Sequence, residues 1–211
     1  MENPWEKIAL VDYEKHMRHE TVGQLQCLNS LMKGQLNRYP AESVIVLGVA
    51  GGNGLEHIKK EKLKKVYGID INLGYLNECR TRYTDISDIL ECLCIDLTDK
   101  NAAIPEAEMI IADLLIEYIG YENFTNIVLR AKPKYVSCVV QVNEESGFVS
   151  DSPYSHTFDG LSAVHRDIGR EELSSAMEKI GYRLFYEINK SLKTGKSLLL
   201  LDFMSVGLLR E

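Results

Sequence analysis

The sequence of 211 residues has a formal net charge of −7, with 45% hydrophobic and 26% charged residues. These values fit one soluble globular domain, and the acidic balance offers no basic surface for nucleic acid or for an anionic membrane. The five cysteines are odd in number and lack the spacing of a zinc site, which indicates a reduced, cytoplasmic protein without a bound metal.

The first forty residues predict a helical segment. Between residues 11 and 37 apolar side chains recur at three- and four-residue steps, as one buried helical face requires, at Leu25, Leu28, Met32 and Leu36. A break is expected near residues 21–23, and Pro40 ends the helix. We therefore predict an N-terminal helical cap over residues 1–40 and a second domain over residues 41–211.

Strands and helices alternate in the next hundred residues. Apolar runs predict strands at residues 44–50, 66–71, 90–97, 109–116 and 135–142. Helices are predicted between them at residues 53–65, 73–83 and 121–130, the second of which is capped by Asn72. Because strands that are buried on both faces read as nearly continuous apolar runs, this alternation indicates a parallel sheet covered by helices on both sides.

The last seventy residues add a loop, a helix and a hairpin. Residues 143–167 lack a regular pattern, and because loops of this length are usually functional or disordered, we assign this one to the substrate side of a site. A helix follows at residues 173–180, and strands at 182–189 and 197–205 flank a turn that contains Gly195. The complete pattern predicts an α/β fold, namely a doubly wound, mostly parallel seven-stranded sheet with an antiparallel last strand.

Glycines crowd the end of the first strand, in the segment VIVLGVAGGNG. In open α/β sheets ligands bind beyond the carboxyl ends of the strands, and missing side chains let a ligand approach the main chain. The helix predicted at residues 53–65 would add free N–H groups and a positive dipole end. A pyrophosphate site is disfavoured, because Ala50 and Asn53 stand where the dinucleotide motif has glycine. A tight turn without a ligand remains an alternative.

Acidic residues end the next three strands. Asp70 can accept hydrogen bonds from both hydroxyls of a ribose, as NAD enzymes also arrange, or it can cap the following helix. Asp96 can accept a hydrogen bond from an adenine amino group, and Asp113 ends the fourth strand. The three carboxylates are expected to meet at one edge of the sheet, beside the glycine segment.

Taken in order, these segments resemble the class I methyltransferases that use S-adenosylmethionine, a Rossmann-like family, over residues 44–205. VIVLGVAGGNG is similar to their first glycine motif, VYGIDI to the acidic ribose-binding motif, CIDLTD to the adenine-contacting motif, and ADLLIEYIG to the motif that lines the methionine portion and the substrate. The resemblance implies that S-adenosylmethionine is the cofactor and is bound by Gly48, Val49, Ala50, Gly51, Gly52, Asp70, Ile71, Asp96, Leu97, Asp113 and Leu114.

The glycine motif departs from this family at one position. The family often carries an acidic residue two positions before the first glycine, where this sequence has Val46. Recognition of the methionine ammonium would then depend on the main-chain carbonyls of Gly48 and Ala112, or on Asp113.

The resemblance implies transfer of a methyl group from a sulfonium to a nucleophile on a small-molecule acceptor. The cofactor carries the difficult chemistry, so the protein mainly positions the nucleophile, and the sequence shows no fixed catalytic constellation. Glu117 is a candidate base, although we expect it to be exposed to solvent. Substrate contacts are assigned to Tyr13, His16, Tyr118, Tyr154 and His156, with a surface helix as the alternative for the first two and ordinary loop packing for the last.

Three rival functions stay open. The missing acid at Val46 and the absent base are compatible with a protein that binds S-adenosylmethionine without transferring its methyl group. A methyltransferase that acts on a protein is a second alternative, and an NAD-linked oxidoreductase is a third. The fourth-strand motif reads ADLL and lacks the Asn-Pro-Pro-Tyr pattern of enzymes that methylate DNA bases or protein glutamine, which, with the acidic charge, favours a small-molecule partner over nucleic acid. The acceptor atom and the oligomeric state are left undetermined.

Overall fold

Seven strands form one mixed sheet in the computed structural model, which describes residues 3–143 and 147–207. The strands are β1 (Ser43–Leu47), β2 (Lys65–Asp70), β3 (Leu90–Cys94), β4 (Met109–Asp113), β5 (Tyr135–Val142), β6 (Tyr182–Ser191) and β7 (Ser197–Ser205). Their order is β3-β2-β1-β4-β5-β7-β6, with β7 antiparallel to both of its neighbours and every other pair parallel. The predicted fold, including the reversed last strand, is confirmed.

Helices cover both faces of the sheet. The described residues contain five α-helices, α1 (Leu10–Arg18), α2 (Gln24–Arg38), α3 (Leu73–Arg82), α4 (Ile116–Ala131) and α5 (Arg170–Lys179). On one face α4 and α5 bury Phe124 and Leu173 in a cluster with Ile45 of β1. On the other face α2 and α3 bury Leu36 and Leu76 in a second cluster. None of the helices in the described part of the chain has the length and apolar character needed to cross a bilayer.

The strand order reverses beside β1. The chain proceeds from β1 outward to β2 and β3, and it then returns to the other side of β1 as β4. Such a switch point opens a crevice beyond the carboxyl ends of the strands. Because β1 already ends at Leu47 and β4 at Asp113, the glycine segment and Leu114 lie in the loops that border this crevice.

The helix predicted at residues 53–65 is absent, and that prediction was wrong. The glycine segment is followed by a single 3₁₀ turn, Leu55–His57, and Ile58 is already extended. The face of the sheet that such a helix would cover is occupied by α2, whose Met32 shares a buried cluster with Val44, Val46 and Leu55. The sheet thus has its helical cover here from a segment that precedes β1 in the sequence, and in the described part of the chain no α-helix begins directly after the glycine segment.

Other element boundaries differ from the prediction by a few residues. Helix α4 begins at Ile116, five residues before the predicted start, and it is interrupted at Gly120, whose φ of 77° is not helical. The predicted loop 143–167 contains a 3₁₀ helix, Ser155–Ala163, while residues 144–146 lie outside the described part of the chain. The predicted break in the N-terminal helix is confirmed, since residues 19–23 separate α1 from α2.

The C-terminal end of α2 is tied to the last strand through a buried carboxylate. Asp202 of β7 is fully buried, and it accepts hydrogen bonds from Arg38, Tyr39 and Ser137. Helix α2 also contributes Leu28 to a cluster with residues of β5 and β7. Helix α2 therefore packs on the sheet itself, and the separation of residues 1–40 as a cap domain stays a prediction.

Candidate functional site

A cleft of about 500 Å³ opens beyond the carboxyl ends of β1, β2, β3 and β4. The sequence-predicted residues that line it are Gly48, Ala50, Asp70, Ile71, Asp96, Leu97, Asp113 and Leu114. Residues before β1 also line the cleft, among them Trp5 and Tyr13. Eight of the eleven predicted cofactor positions are thus brought together around one space.

The other three positions lie behind the wall of the cleft. Val49 is buried and packs beneath Gly68. Gly52, with a φ of +87°, lies so close to Tyr83 that an added Cβ would come within 2.5 Å of the ring. Gly51 contacts Arg82, which donates to its carbonyl at 3.4 Å and pairs with Glu14 of α1. The glycines at 51 and 52 therefore let the loop pack against α3, rather than clear space in the cleft.

Asp70 holds the glycine loop and α3 at the same time. Its Oδ2 accepts a hydrogen bond from the Ala50 N–H at 2.9 Å, and its Oδ1 accepts one from the Asn72 N–H at 2.9 Å. Burial raises the pKa of Asp70, while the backbone donors oppose that rise. The N-cap of α3 is Asn72, as predicted, since its side chain accepts from the Tyr75 N–H. Asp70 is therefore not itself the N-cap of α3, but it anchors the residue that is.

Asp113, at the end of β4, carries a buried oxygen with no partner. Its Oδ1 accepts a hydrogen bond from Gln35 of α2 at 2.8 Å, whereas its Oδ2 has no hydrogen-bond partner within the described residues. Burial raises the pKa of Asp113 to about 7, with Asp202 and Glu117 adding to the rise. A buried carboxylate oxygen without a partner is costly, so this geometry favours a cationic group or a donor from a ligand.

Two further cleft residues differ in their accessibility. Asp96 is exposed at the rim, and its Oδ1 accepts from the N–H and the hydroxyl of Thr98 at 2.8 and 2.7 Å. Tyr75 of α3 is buried, and its hydroxyl has no partner among the described residues. Sequence reasoning missed Tyr75, because it belongs to no motif and was not among the periodic positions recognised in this helix.

An aromatic wall separates the cleft from a second, smaller space. It consists of Trp5, Tyr13 and Tyr118, all of which line both spaces together with Leu114. The Trp5 ring meets Tyr118 edge to face at 4.9 Å and Tyr13 at 6.0 Å. Leu114 has a φ of +52°, a left-handed conformation that is costly for a branched residue and that clusters at functional sites.

The second space is a small, partly open pocket of about 60 Å³, hereafter the inner cavity. Besides the aromatic wall, its lining comes from α1, α2, the start of α4 with the residue after β4, β5, and the described part of the 143–167 segment. These residues are His16, Met17, Gln24, Leu114, Glu117, Gln141, Phe148, Val149, Phe158 and His165. The Nδ1 of His16 lies 2.8 Å from the Ser152 hydroxyl. Burial lowers the pKa of His16 to about 4 and also lowers that of His165.

The expectation that Glu117 is exposed was wrong. Glu117 is 3% exposed and lies in the first turn of α4, facing the inner cavity. Its Oε1 accepts from the Gln141 N–H at 2.8 Å, and its Oε2 has no hydrogen-bond partner within the described residues. Burial raises the pKa of Glu117 to about 7, with the Gln141 N–H opposing the rise.

The predicted substrate residues divide into two groups. Tyr13, His16 and Tyr118 line the inner cavity. Tyr154 and His156 line neither space, since the Tyr154 ring faces Lys15 and the His156 side chain is 92% exposed beside Asp159. Among the described residues no three His, Cys, Asp or Glu side chains come together as a metal site.

Comparison of the fold with solved structures finds many relatives, although no family model and no curated protein matches the sequence. N-methyltransferase NodS from Bradyrhizobium japonicum WM9, in complex with S-adenosylhomocysteine, is 11% identical over 93% of this chain and 97% of its own, with a TM-score of 0.65. Magnesium protoporphyrin IX methyltransferase from Synechocystis PCC 6803 is 12% identical over 92% and 87%, with a TM-score of 0.64. The [4+2]-cyclase SpnF is 12% identical over 89% and 84%, with a TM-score of 0.65. The likeness establishes the fold that these proteins share.

Proposed function

We propose that the protein binds S-adenosylmethionine in the cleft and transfers its methyl group to a small-molecule acceptor. The observation that carries this proposal is the position of Asp70. Its carboxylate ends β2, lines the cleft and is fixed by the N–H of Ala50 in the glycine loop. Each carboxylate oxygen retains a further lone pair for a ribose hydroxyl. Two solved structures with this fold, NodS and the magnesium protoporphyrin IX enzyme, contain S-adenosylhomocysteine.

The lining of the cleft fits the parts of this cofactor. We assign the ribose to Asp70, the adenine to Asp96 and Leu97, and the methionine portion to the main chain around Gly48 and Ala50. Leu97 is buried and offers an apolar surface to a base, whereas Asp96 keeps an oxygen that Thr98 does not occupy. The buried, unpartnered hydroxyl of Tyr75 supplies a further hydrogen-bonding group in the same cleft.

Asp113 supplies the negative charge that Val46 does not. Val46 is buried in the apolar cluster beneath α2, so nothing charged is available at that position. The unpartnered Oδ2 of Asp113 belongs to the same cleft as Gly48 and is suited to pair with an α-ammonium group. A bound cation would also favour the ionised form of this carboxylate, because opposite charges at short range lower a carboxyl pKa.

When bound, S-adenosylmethionine supplies a methyl group on a sulfonium, whose departure leaves a neutral thioether. The contribution of the protein is to orient the acceptor and to exclude water. The aromatic wall is placed for both tasks, since it stands between the cleft and the inner cavity. The small volume of the inner cavity, about 60 Å³, favours a small acceptor group, and the charge of −7 disfavours nucleic acid.

A non-methylating protein is the second candidate. SpnF shows that this fold also serves a cyclase, so the fold alone does not require methyl transfer. The third candidate is a methyltransferase whose acceptor is a side chain of another protein. Incubation with methyl-labelled S-adenosylmethionine and fractions of small metabolites or of proteins separates the three, since label appears in one fraction or in neither.

The cofactor assignment is tested by thermal unfolding with S-adenosylhomocysteine and with NAD⁺. A ligand at about 100 times its Kd should stabilise the fold by roughly 2.7 kcal/mol. We expect S-adenosylhomocysteine to raise the Tm and NAD⁺ to leave it unchanged. Stabilisation by NAD⁺ alone would overturn the proposal.

A further inference from the structure

We propose that the inner cavity receives a small aliphatic amine as the methyl acceptor and that Glu117 accepts its proton. The inference deepens the proposed function and rests on it. Three properties of the inner cavity carry it: a carboxylate oxygen without a partner, a lining rich in aromatic rings, and the wall that it shares with the cleft.

One oxygen of the Glu117 carboxylate lacks a donor among the described residues. Its Oε1 is held by the main chain of β5, which fixes the side chain, whereas Oε2 is buried and has no hydrogen-bond partner in the described part of the chain. Buried polar atoms are almost always hydrogen-bonded, so an orphan oxygen beside a cavity marks the place of a missing donor. An ammonium offers up to three N–H donors and a complementary charge.

The rest of the lining selects a cation over an anion. Aromatic rings of Trp5, Tyr118 and Phe158 face the inner cavity, and their faces attract ammonium groups. Of the described residues that line it, none is Lys or Arg, and both histidines are shifted toward the neutral form by burial. The buried Lys196 acts electrostatically on both histidines, but its Nζ donates to the Phe148 carbonyl at 2.8 Å and it does not line the inner cavity. Among the described lining residues Glu117 is the charged one, which favours a cationic acceptor over an acidic one.

Because the inner cavity adjoins the cleft, binding of an amine there places it beside the proposed cofactor site. The aromatic wall and Leu114 border both the inner cavity and the cleft, so the two spaces adjoin, and we place the amine nitrogen at their junction, within reach of both Glu117 and a methyl group in the cleft. The strained backbone of Leu114 lies at the contact between the two spaces, where its Asp113 neighbour faces the cleft.

The reaction balances with Glu117 as the proton acceptor. The carboxylate removes one proton from R–NH₃⁺, which leaves R–NH₂ with a free lone pair on nitrogen. That pair forms the N–C bond to the methyl group while the S–C bond breaks, and its electrons remain on sulfur in the neutral thioether. The product is R–NH₂–CH₃⁺, and the proton on Glu117 passes to water after the product leaves.

Fluorescence of Trp5 provides a direct test, because Trp5 is the only tryptophan of the chain and stands in the aromatic wall. The protein is saturated with S-adenosylhomocysteine, whose own binding is measured first by calorimetry. Ethylammonium, ethanol and acetate are then titrated at equal ionic strength. We expect a saturable change of the emission with ethylammonium alone. An equal response to ethanol or to acetate overturns the selection of a cation.

Glu117→Gln is the matching variant, because it keeps the size and the hydrogen-bonding shape of the side chain. Loss of the charge is expected to weaken ethylammonium binding about tenfold or more, while S-adenosylhomocysteine affinity stays unchanged. Glu122→Gln on the exposed side of α4, where Glu122 pairs with Lys100, is the control and should behave as the parent protein. Undiminished ethylammonium binding by a folded Glu117→Gln overturns the role of Glu117.

The outcomes also separate this inference from the function on which it rests. Retained binding of S-adenosylhomocysteine without any response to ethylammonium overturns the amine site and leaves the cofactor site intact. Absence of S-adenosylhomocysteine binding overturns the proposed function itself. If Glu117→Gln does not fold, the comparison of the three probes in the parent protein decides.

Discussion

The side-chain amide of Gln35 lies 2.8 Å from Oδ1 of Asp113 and donates a hydrogen bond to it. Gln35 is fully buried on α2, and Asp113 ends β4 on the border of the cleft. A helix that comes before the first strand thereby sets the orientation of a carboxylate in the candidate cofactor site. The direction of the unpaired oxygen of Asp113 therefore depends on Gln35, which belongs to neither the glycine motif nor the acidic motifs.

Replacement of Asp113 by Asn should weaken the binding of S-adenosylhomocysteine without lowering the stability of the fold. The variant loses the charge that would pair with the ammonium, so affinity for S-adenosylhomocysteine is expected to fall about tenfold or more. The free energy of unfolding should be unchanged or higher, because a buried carboxylate with an orphan oxygen is removed. Calorimetric titration and urea unfolding measure the two quantities. The exposed Asp159→Asn is the control, and equal affinities of the two variants would contradict the assignment.

Replacement of Asp70 by Ala should weaken the binding of adenosyl ligands. Loss of a charge-assisted hydrogen bond to the ribose is expected to cost about 1.5–3 kcal/mol of binding free energy. Because the N–H groups of Ala50 and Asn72 also lose their acceptor, the stability of the unliganded protein has to be measured beside the affinity. Undiminished affinity in a folded variant would show that Asp70 serves the loop alone.

The pH dependence of stability should change when Glu117 is replaced by Gln. The pKa of Glu117 is raised in the folded state from its ordinary 4.5 to about 7, so the folded state binds the proton more tightly than the unfolded state. Its stabilising contribution is complete below pH 4.5 and is lost as the pH rises through 7, with a slope of at most about 1.4 kcal/mol per pH unit.

Stability of Glu117→Gln relative to the parent should therefore increase between pH 4.5 and 7 and then level off. Urea unfolding at a series of pH values measures this difference. Glu122→Gln again supplies the control, because Glu122 is exposed. A difference that stays constant over this range would show that the carboxyl of Glu117 is not perturbed by burial.

Gly54→Ala should be destabilising through a clash with α2. An added Cβ would lie 2.5 Å from the Met32 side chain, and φ is +94°. Gly181 has a φ of +86° with no atom within 4 Å, so Gly181→Ala carries the backbone strain without the clash. We expect Gly54→Ala to cost about 1–3 kcal/mol more than Gly181→Ala. When Met32→Ala is combined with Gly54→Ala, the shorter side chain should recover part of the extra loss of stability. If the effects of the two substitutions on the free energy of unfolding simply add, the predicted clash between positions 54 and 32 is contradicted.

Arg38→Ala should reduce stability more than the loss of an exposed ion pair. Arg38 neutralises the fully buried Asp202, and removal of one partner leaves a buried charge, at a cost of about 3 kcal/mol. Arg170→Ala breaks a solvent-exposed pair with Glu187, and a much smaller loss of stability is expected. Thermal or urea unfolding compares the two, and equal effects would show that Tyr39 and Ser137 alone satisfy Asp202.

The sheet was predictable from the sequence because its strands are buried on both faces. Apolar runs mark such strands directly, and the acidic residues after β2, β3 and β4 follow from strand ends alone. The cover of the sheet was less predictable. Periodicity identifies the apolar face of α2, but it does not say on which side of the sheet that face packs, so a helix was expected at residues 53–65 where α2 already fills the space.

The inner cavity depends on contacts that no local pattern records. Burial of Glu117 requires the N–H of Gln141 and the side chains of α1 and the 143–167 segment, all distant in sequence. A charged residue at the start of a helix ordinarily faces solvent, so exposure was the reasonable expectation. Trp5 was missed because it lies in a short 3₁₀ segment without a motif, although it is the only tryptophan.

One face of the sheet is covered by α2 and not by a helix after β1, and this has a consequence for synthesis on the ribosome. Helix α2 leaves the exit tunnel before any strand of the sheet, whereas its partner Asp202 is made 164 positions after Arg38. Its apolar face therefore has no complete surface to cover until β7 has been made. During that interval α2 is a natural site for chaperone contact, and the closing strand β7 is the step that releases it.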